Sequence, residues 1–141
     1  MSQNPYTKIP KRFLLVRTDR IGDTILTLPA VTALRKKYPD SFISFLAQPY
    51  TVPLVEEYEG IDLLLTYDSE GLHRGWKGVL KLANQLGNLN FDAALLFYPR
   101  PELSFALWFA KIPLRIGTGF RWYSFLMNKR IYEHRKECIK H

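Results

Sequence analysis

A short, continuous apolar run, Phe13 to Val16, constrains the fold of this chain more than any other sequence feature. An alternating run is typical of a strand with one solvated face, whereas a continuous run is typical of a strand buried on both faces of a parallel sheet. Helical patterns separate it from further apolar runs, at the spacing of βαβ units. The sequence therefore predicts an α/β fold with a Rossmann-like parallel sheet, flanking helices and Phe13–Val16 as first strand.

The alternation predicts the remaining elements. Further strands are expected at residues 42–47, 61–66, 91–97 and 114–117. Helices are expected at residues 23–38, 52–58, 76–86 and 101–110. Pro29 removes a backbone donor inside the first helix, so we expect a kink or restart there. Asp62 and Asp92 stand just inside the starts of their strands, which favours a structural role at the edge of the sheet remote from any site.

The size of the chain, 141 residues, supports one sizeable core. Residues 1–12 are predicted to be a disordered lead-in, and residues 13–141 a single Rossmann-like domain. The single cysteine, Cys138, excludes an intrachain disulfide. No apolar run approaches the roughly 18–20 residues of a membrane span, and no signal-peptide pattern opens the chain. We therefore expect a cytoplasmic protein, at most peripheral to the cytoplasmic membrane.

The net charge of +7 points to an anionic partner, and the basic residues are concentrated in residues 111–141. Nucleic acid, an anionic membrane and a phosphorylated substrate all fit this charge, as does a basic face that only aids solubility. Residues 120–126 mix aromatic and basic side chains, and Lys129 and Arg130 follow them. This composition suits the headgroup region of a membrane or, alternatively, packing against the edge of the domain.

The loop after the first strand, residues 17–24, carries the chemistry that the sequence suggests. Ligands of open α/β sheets bind beyond the carboxyl ends of the strands. The loop contains one glycine, Gly22, so the glycine fingerprints of dinucleotide sites and phosphate loops are absent. Asp23 stands where a helix N-terminus favours an ionised carboxylate, as a general base requires. Two alternatives remain open: Asp23 only caps the helix, or Asp19 is the base.

The stretch from residue 13 to residue 39 resembles the opening of the ADP-heptose:lipopolysaccharide heptosyltransferases, glycosyltransferase family 9. The shared pattern is an apolar strand, a loop ending in Gly22-Asp23, a helix with Leu28-Pro29-Ala30, a Leu-Arg pair and a closing proline. Weaker similarity extends the resemblance over residues 13–141.

This resemblance implies the N-terminal, acceptor-side half of a GT-B glycosyltransferase. It implies inverting transfer of a heptose or related sugar from a nucleotide sugar, ADP-heptose for this family, to a lipopolysaccharide core or similar glycan, with no metal or other cofactor. Asp23 is then the catalytic carboxylate, and His141 matches a histidine near the sugar site. The C-terminal, donor-binding domain is absent from this chain, so we expect a fragment with little activity alone.

The acceptor side of the resemblance gives the basic residues a role. Lipid-linked acceptors of the family carry phosphates and acidic sugars at the inner membrane surface. Guanidinium groups in loops at the carboxyl edge suit such anions. The predicted acceptor- or substrate-binding residues are Arg17, Asp19, Arg20, Gly22, Arg100 and His141. The alternative for any one of these arginines is a solvated loop position.

Other classes of function explain less of the sequence. A noncatalytic remnant or basic binding module would explain the charge alone, and nucleic acid is not the expected partner. A nucleotide-dependent oxidoreductase would share the Rossmann-like fold but lacks its glycine fingerprint here.

Overall fold

The fold is a parallel sheet with helices on both faces, seen in a computed structural model that describes residues 10–97, 100–118 and 129–131. The strands are β1 (Arg12–Val16), β2 (Phe42–Ala47), β3 (Leu63–Thr66), β4 (Ala93–Leu96), β5 (Leu114–Thr118) and β6 (Lys129–Ile131). The helices are α1 (Ile21–Lys37), α2 (Val52–Val55), α3 (Gly75–Gly87) and α4 (Pro101–Phe109), with a 3₁₀ turn at Pro49–Thr51 before α2.

The strand order, β3-β2-β1-β4-β5-β6, is that of a Rossmann-type sheet, and every adjacent pair is parallel. The predicted fold class is therefore confirmed. β1 lies between β2 and β4. The chain adds β2 and β3 on one side of β1 and then returns to add β4, β5 and β6 on the other side. This reversal opens a crevice at the carboxyl end of β1, where sheets of this type bind ligands.

Side chains of β1 alternate between two cores, as a buried central strand requires. Leu14 and Val16 are fully buried in the core that α3 and α4 cover. Phe13 and Leu15 are buried in the core beneath α1 and α2. The continuous apolar run of β1 is thus explained, because both faces of the strand are covered by helices.

Most predicted elements are confirmed, with shifts at their ends. β3 and β4 begin two residues later than predicted, because Asp62 and Asp92 precede the paired strands. β6 was not predicted.

The helix α1 begins at Ile21 rather than residue 23 and continues through Pro29 without a restart. Arg12 belongs to β1, so the predicted end of the lead-in at residue 12 is wrong. Residues 1–9 lie outside the described part of the chain. No described helix has both the length and the apolar character to cross a bilayer.

The predicted structural role of Asp62 and Asp92 is confirmed. Oδ2 of Asp92 accepts hydrogen bonds from the backbone amides of Lys11 at 2.9 Å and Arg12 at 3.0 Å. Oδ2 of Asp62 accepts from the amide of Ile43 at 2.8 Å and from Nη2 of Arg35 at 2.6 Å. Each carboxylate therefore joins the starts of two strands at the edge remote from the crevice.

Asp62→Asn is expected to reduce the free energy of unfolding at neutral pH by about 1 kcal/mol or less, because solvent screens this partly exposed ion pair. Partial burial alone would raise the pKa of Asp62, but hydrogen bonds from Ile43 and Arg35, with the charge of Arg35, together lower it below 3.8. The folded chain then holds this proton less tightly than the unfolded chain. The stabilisation is therefore present above the ordinary aspartate pKa and is lost as the pH falls through the lowered value.

Urea unfolding of wild type and Asp62→Asn at neutral and acidic pH measures this contribution. The difference between the two proteins should shrink on acidification. A difference that stays constant or grows would mean that the carboxylate stabilises the fold by another route.

Candidate active site

The loop after β1 and the first turn of α1 lie at the crevice and together hold five of the predicted site residues. Arg17 directly follows β1, and Arg20 is the residue before the first turn of α1. Gly22 and Asp23 lie in that first turn. Parallel strands β2 and β4 pair with β1 on either side, so the loop is held at the centre of the sheet.

Arg17 and Asp19 form a two-point ion pair inside this loop. Nε of Arg17 donates to Oδ1 of Asp19 at 2.7 Å, and Nη2 donates to Oδ2 at 3.0 Å. The side chain of Asp19 is only 10% exposed. Both oxygens of this carboxylate are therefore engaged by one guanidinium, in the bidentate geometry that is strongest for this pair.

Asp23 is the more accessible carboxylate of the loop. Its side chain is 42% exposed, and its Oδ1 lies 3.6 Å from Nη2 of Arg17. Asp23 is the third residue of α1 and lies in the first turn of that helix. The alternative that Asp23 caps the helix is wrong: Arg20 occupies the capping position, and within the described residues no side-chain capping hydrogen bond is made at this end. The carboxylate is thus free of that structural task.

Two residues that sequence reasoning missed hold the loop from β2. The side-chain amide of Gln48 donates to the carbonyl of Thr18. The hydroxyl of Tyr50 donates to the carbonyl of Asp19 at 2.8 Å. Because residues 48–53 follow β2 at the same edge of the sheet, their position was predictable, but the side chains that make these contacts were not.

Gly22 and Arg20 are exposed positions beside Asp23. A Cβ built on Gly22 meets no atom within 4 Å. Gly22 also has no positive φ, so neither packing nor backbone conformation within the described chain requires a glycine here. The side chain of Arg20 has no hydrogen bond or ion pair with the described residues. Both positions leave the first turn of α1 open to a ligand.

Arg100 belongs to a second cavity at the same edge. It precedes α4, and its Nε lies 3.3 Å from Oε2 of Glu102. The cavity has a volume of about 230 Å³ and is lined by Tyr67, Ser69, His73, Gly75, Trp76, Val79, Arg100, Pro101 and Glu102. Burial raises the pKa of Tyr67 and the charge of Glu102 adds to this, while Arg100 opposes it. Tyr67 therefore lines the cavity as a neutral phenol.

His73 is a buried histidine in the wall of this cavity. Its Nδ1 accepts a hydrogen bond from the amide of Asp68 at 3.0 Å. Its Nε2 lies 2.8 Å from Oε1 of Gln85, which fits a neutral ring that donates from Nε2. His73 also stacks on Tyr67 with ring centroids 5.7 Å apart. These contacts give His73 a structural role in the loop between β3 and α3.

Two predicted features lie outside the described residues: His141 and residues 120–126. Within residues 10–97, 100–118 and 129–131, no group of three His, Cys, Asp or Glu side chains is placed to hold a metal ion. The expectation that no metal is needed stays a prediction.

Comparison with known proteins shows that the chain is similar to glycosyltransferases. No protein-family model matches the chain. The lipopolysaccharide core heptosyltransferase OpsX of Haemophilus influenzae is 30% identical over 114 residues, which are 81% of this chain and 32% of that protein. The chain therefore spans about a third of that relative.

Solved structures show the same fold. A glycosyl transferase family 9 structure from Veillonella parvula superimposes with a TM-score of 0.81 at 24% identity, over 96% of this chain and 38% of that one. The E. coli heptosyltransferase WaaC, solved with ADP-2-deoxy-2-fluoro heptose, superimposes with a TM-score of 0.69 at 16% identity. The match covers 89% of this chain and 45% of that one.

Proposed function

Because the chain belongs to glycosyltransferase family 9, we propose that it forms the N-terminal, acceptor-side half of a glycosyltransferase active site. The transferred group is a heptose or a related sugar, taken from a nucleotide sugar such as ADP-heptose. The acceptor is a glycan of the lipopolysaccharide core type. The observation that carries this proposal is the exposed Asp23 carboxylate at the helix N-terminus of the central crevice.

Asp23 acts as the general base in this proposal. One carboxylate oxygen takes the proton of the acceptor hydroxyl as its oxygen attacks the anomeric carbon of the sugar. The new glycosidic bond forms while the bond to the diphosphate breaks, and the nucleotide leaves with that electron pair. Attack from the side opposite the leaving group inverts the anomeric centre. The base must be ionised before it accepts the proton.

Arg17 and Asp19 support Asp23 rather than replace it. Asp19 is nearly buried, and both of its oxygens accept from Arg17. It is therefore poorly placed to take a proton from a substrate. The same guanidinium reaches to 3.6 Å from Asp23, so Asp19 fixes a positive charge beside the base. We assign Asp19 a positioning role and Arg17 an electrostatic one.

The remaining predicted site residues are assigned to the acceptor. Arg20 is exposed in the β1–α1 loop and has no side-chain partner among the described residues, and Arg100 lines the second cavity of the same edge. Phosphates or carboxylates of the acceptor are suitable partners for both. His141 is proposed to approach the sugar on the strength of the resemblance alone. The reaction is proposed to need no metal, and the protein to work in the cytoplasm at the inner membrane surface.

Gly22→Ala tests whether a substrate closely approaches the first turn of α1. The fold leaves space for the new methyl group, and alanine favours the helix, so stability should be unchanged or rise by about 0.5–1 kcal/mol. A methyl group in the path of the substrate should nevertheless lower kcat/KM of the full-length protein by at least about 10-fold. Thermal unfolding and transfer kinetics measure the two effects. A variant with wild-type kcat/KM would remove Gly22 from the site.

A further inference from the structure

The outer surface of α4 is apolar, although it faces away from both cores. Trp108 is 46% exposed and Phe109 is 41% exposed, while the opposite side of the helix is buried against the sheet. A helix on the surface of a soluble domain normally carries polar side chains on its outer face. The exposed side of α4 is therefore suited to a partner.

Neighbouring α3 extends this surface. Trp76 and Leu80 stand one turn apart on α3 and are 60% and 54% exposed. The rings of Trp76 and Phe105 are in edge-on contact, with centroids 5.3 Å apart. The ring centroids of Phe105 and Phe109 are 6.2 Å apart. The ring of Phe109 in turn contacts that of Trp108, with centroids 5.0 Å apart. These four rings form a continuous chain of contacts. Together with the exposed Leu80 they are called the aromatic face, defined by Trp76, Leu80, Phe105, Trp108 and Phe109.

Lysines border the aromatic face. Lys77 and Lys81 stand one turn apart on α3, in the row next to Trp76 and Leu80, and both are exposed. α3 contains no acidic residue. Lys111 follows α4 and lines a cavity of about 490 Å³ together with Trp108 and Phe109. The acid of α4, Glu102, lies in its first turn and pairs with Arg100. The surface therefore combines exposed aromatic rings with a positive border.

We propose that the aromatic face docks on an anionic membrane surface. Indole and phenyl rings settle at the boundary between headgroups and acyl chains, while lysine stems extend their ammonium groups to lipid phosphates. A second copy of this chain is a poorer occupant, because a twofold interface would bring the same lysines of both copies together. The aromatic face includes none of residues 120–126. The proposal rests on the membrane location given in the proposed function, but it does not depend on the role of Asp23.

Binding of the chain to phosphatidylcholine vesicles, with and without phosphatidylglycerol, tests this proposal by cosedimentation. We expect binding only to the anionic vesicles. The double variant Lys77→Glu/Lys81→Glu should weaken it by at least about 10-fold. The matched control, Lys36→Glu/Lys37→Glu, makes the same charge change at exposed positions of α1 on the other side of the sheet. This control should retain most of the binding.

Two further variants separate the contributions. Trp108→Ser/Phe109→Ser should also weaken binding, with thermal unfolding used to select variants that remain folded. Asp23→Asn should bind vesicles like the wild type, whatever its effect on transfer. Equal losses in both lysine double variants would reduce the effect to bulk charge and overturn the proposal. So would the absence of vesicle binding, or self-association that Trp108→Ser/Phe109→Ser abolishes.

Discussion

Asp23→Asn should lower the turnover of the full-length protein by about 100- to 10,000-fold, the usual contribution of a general base. Asparagine keeps the shape of the side chain but has no basic oxygen for the proton of the acceptor. Asp23 is 42% exposed and does not cap α1, so its replacement should leave the fold intact. The loss should appear in kcat, because the proton moves in the transition state rather than on binding.

Asp40→Asn is the matched control for this experiment. Asp40 is exposed in the turn after α1, remote from the crevice, and its replacement removes the same charge. Asp19→Asn adds a second comparison: it should disturb Arg17 and give a smaller loss than Asp23→Asn. Turnover of Asp23→Asn equal to that of the Asp40 variant, in a folded protein, would exclude Asp23 as the base.

Gly78→Ala should destabilise the fold by about 3 kcal/mol, the upper part of the range for an overfilled core. A Cβ at Gly78 would overlap the carbonyl group of His73 and lie 2.5 Å from its Cα. These are backbone atoms, and His73 is fixed by its contacts with Asp68 and Gln85, so the loop cannot move away cheaply. Urea unfolding measures the change in the free energy of unfolding.

Gly22→Ala supplies the comparison, since it makes the same substitution in the first turn of α1 where the structure leaves space. Wild-type stability of the Gly78 variant would show that α3 does not pack on the His73 loop as described.

The sequence predicted the sheet well because its signal is local. Continuous apolar runs mark buried strands, and they located β1, β2 and β5 closely. Asp62 and Asp92 were recognised as structural because acids inside apolar runs fit the start of a strand. The ends of α1 and β3 were less predictable, because helix and strand boundaries depend on backbone pairing.

Contacts between distant residues were beyond the sequence. Nothing in the sequence near His73 indicates that its ring nitrogen forms a hydrogen bond with Gln85, twelve residues later. The ion pair between Asp19 and Arg17 likewise depends on the conformation of the loop, which the spacing of residues along the sequence does not determine. The aromatic face was hidden for the same reason, because Trp76 and Phe105 meet only when α3 packs on α4.

The most direct test is mass spectrometry of a lipopolysaccharide core acceptor after incubation with the full-length protein and ADP-heptose. We predict that the acceptor gains one heptose residue and that this gain is lost with Asp23→Asn but retained with Asp40→Asn. An acceptor that gains no sugar from any nucleotide-sugar donor, or that gains it equally with the Asp23 variant, would contradict the assignment of this loop as the catalytic centre.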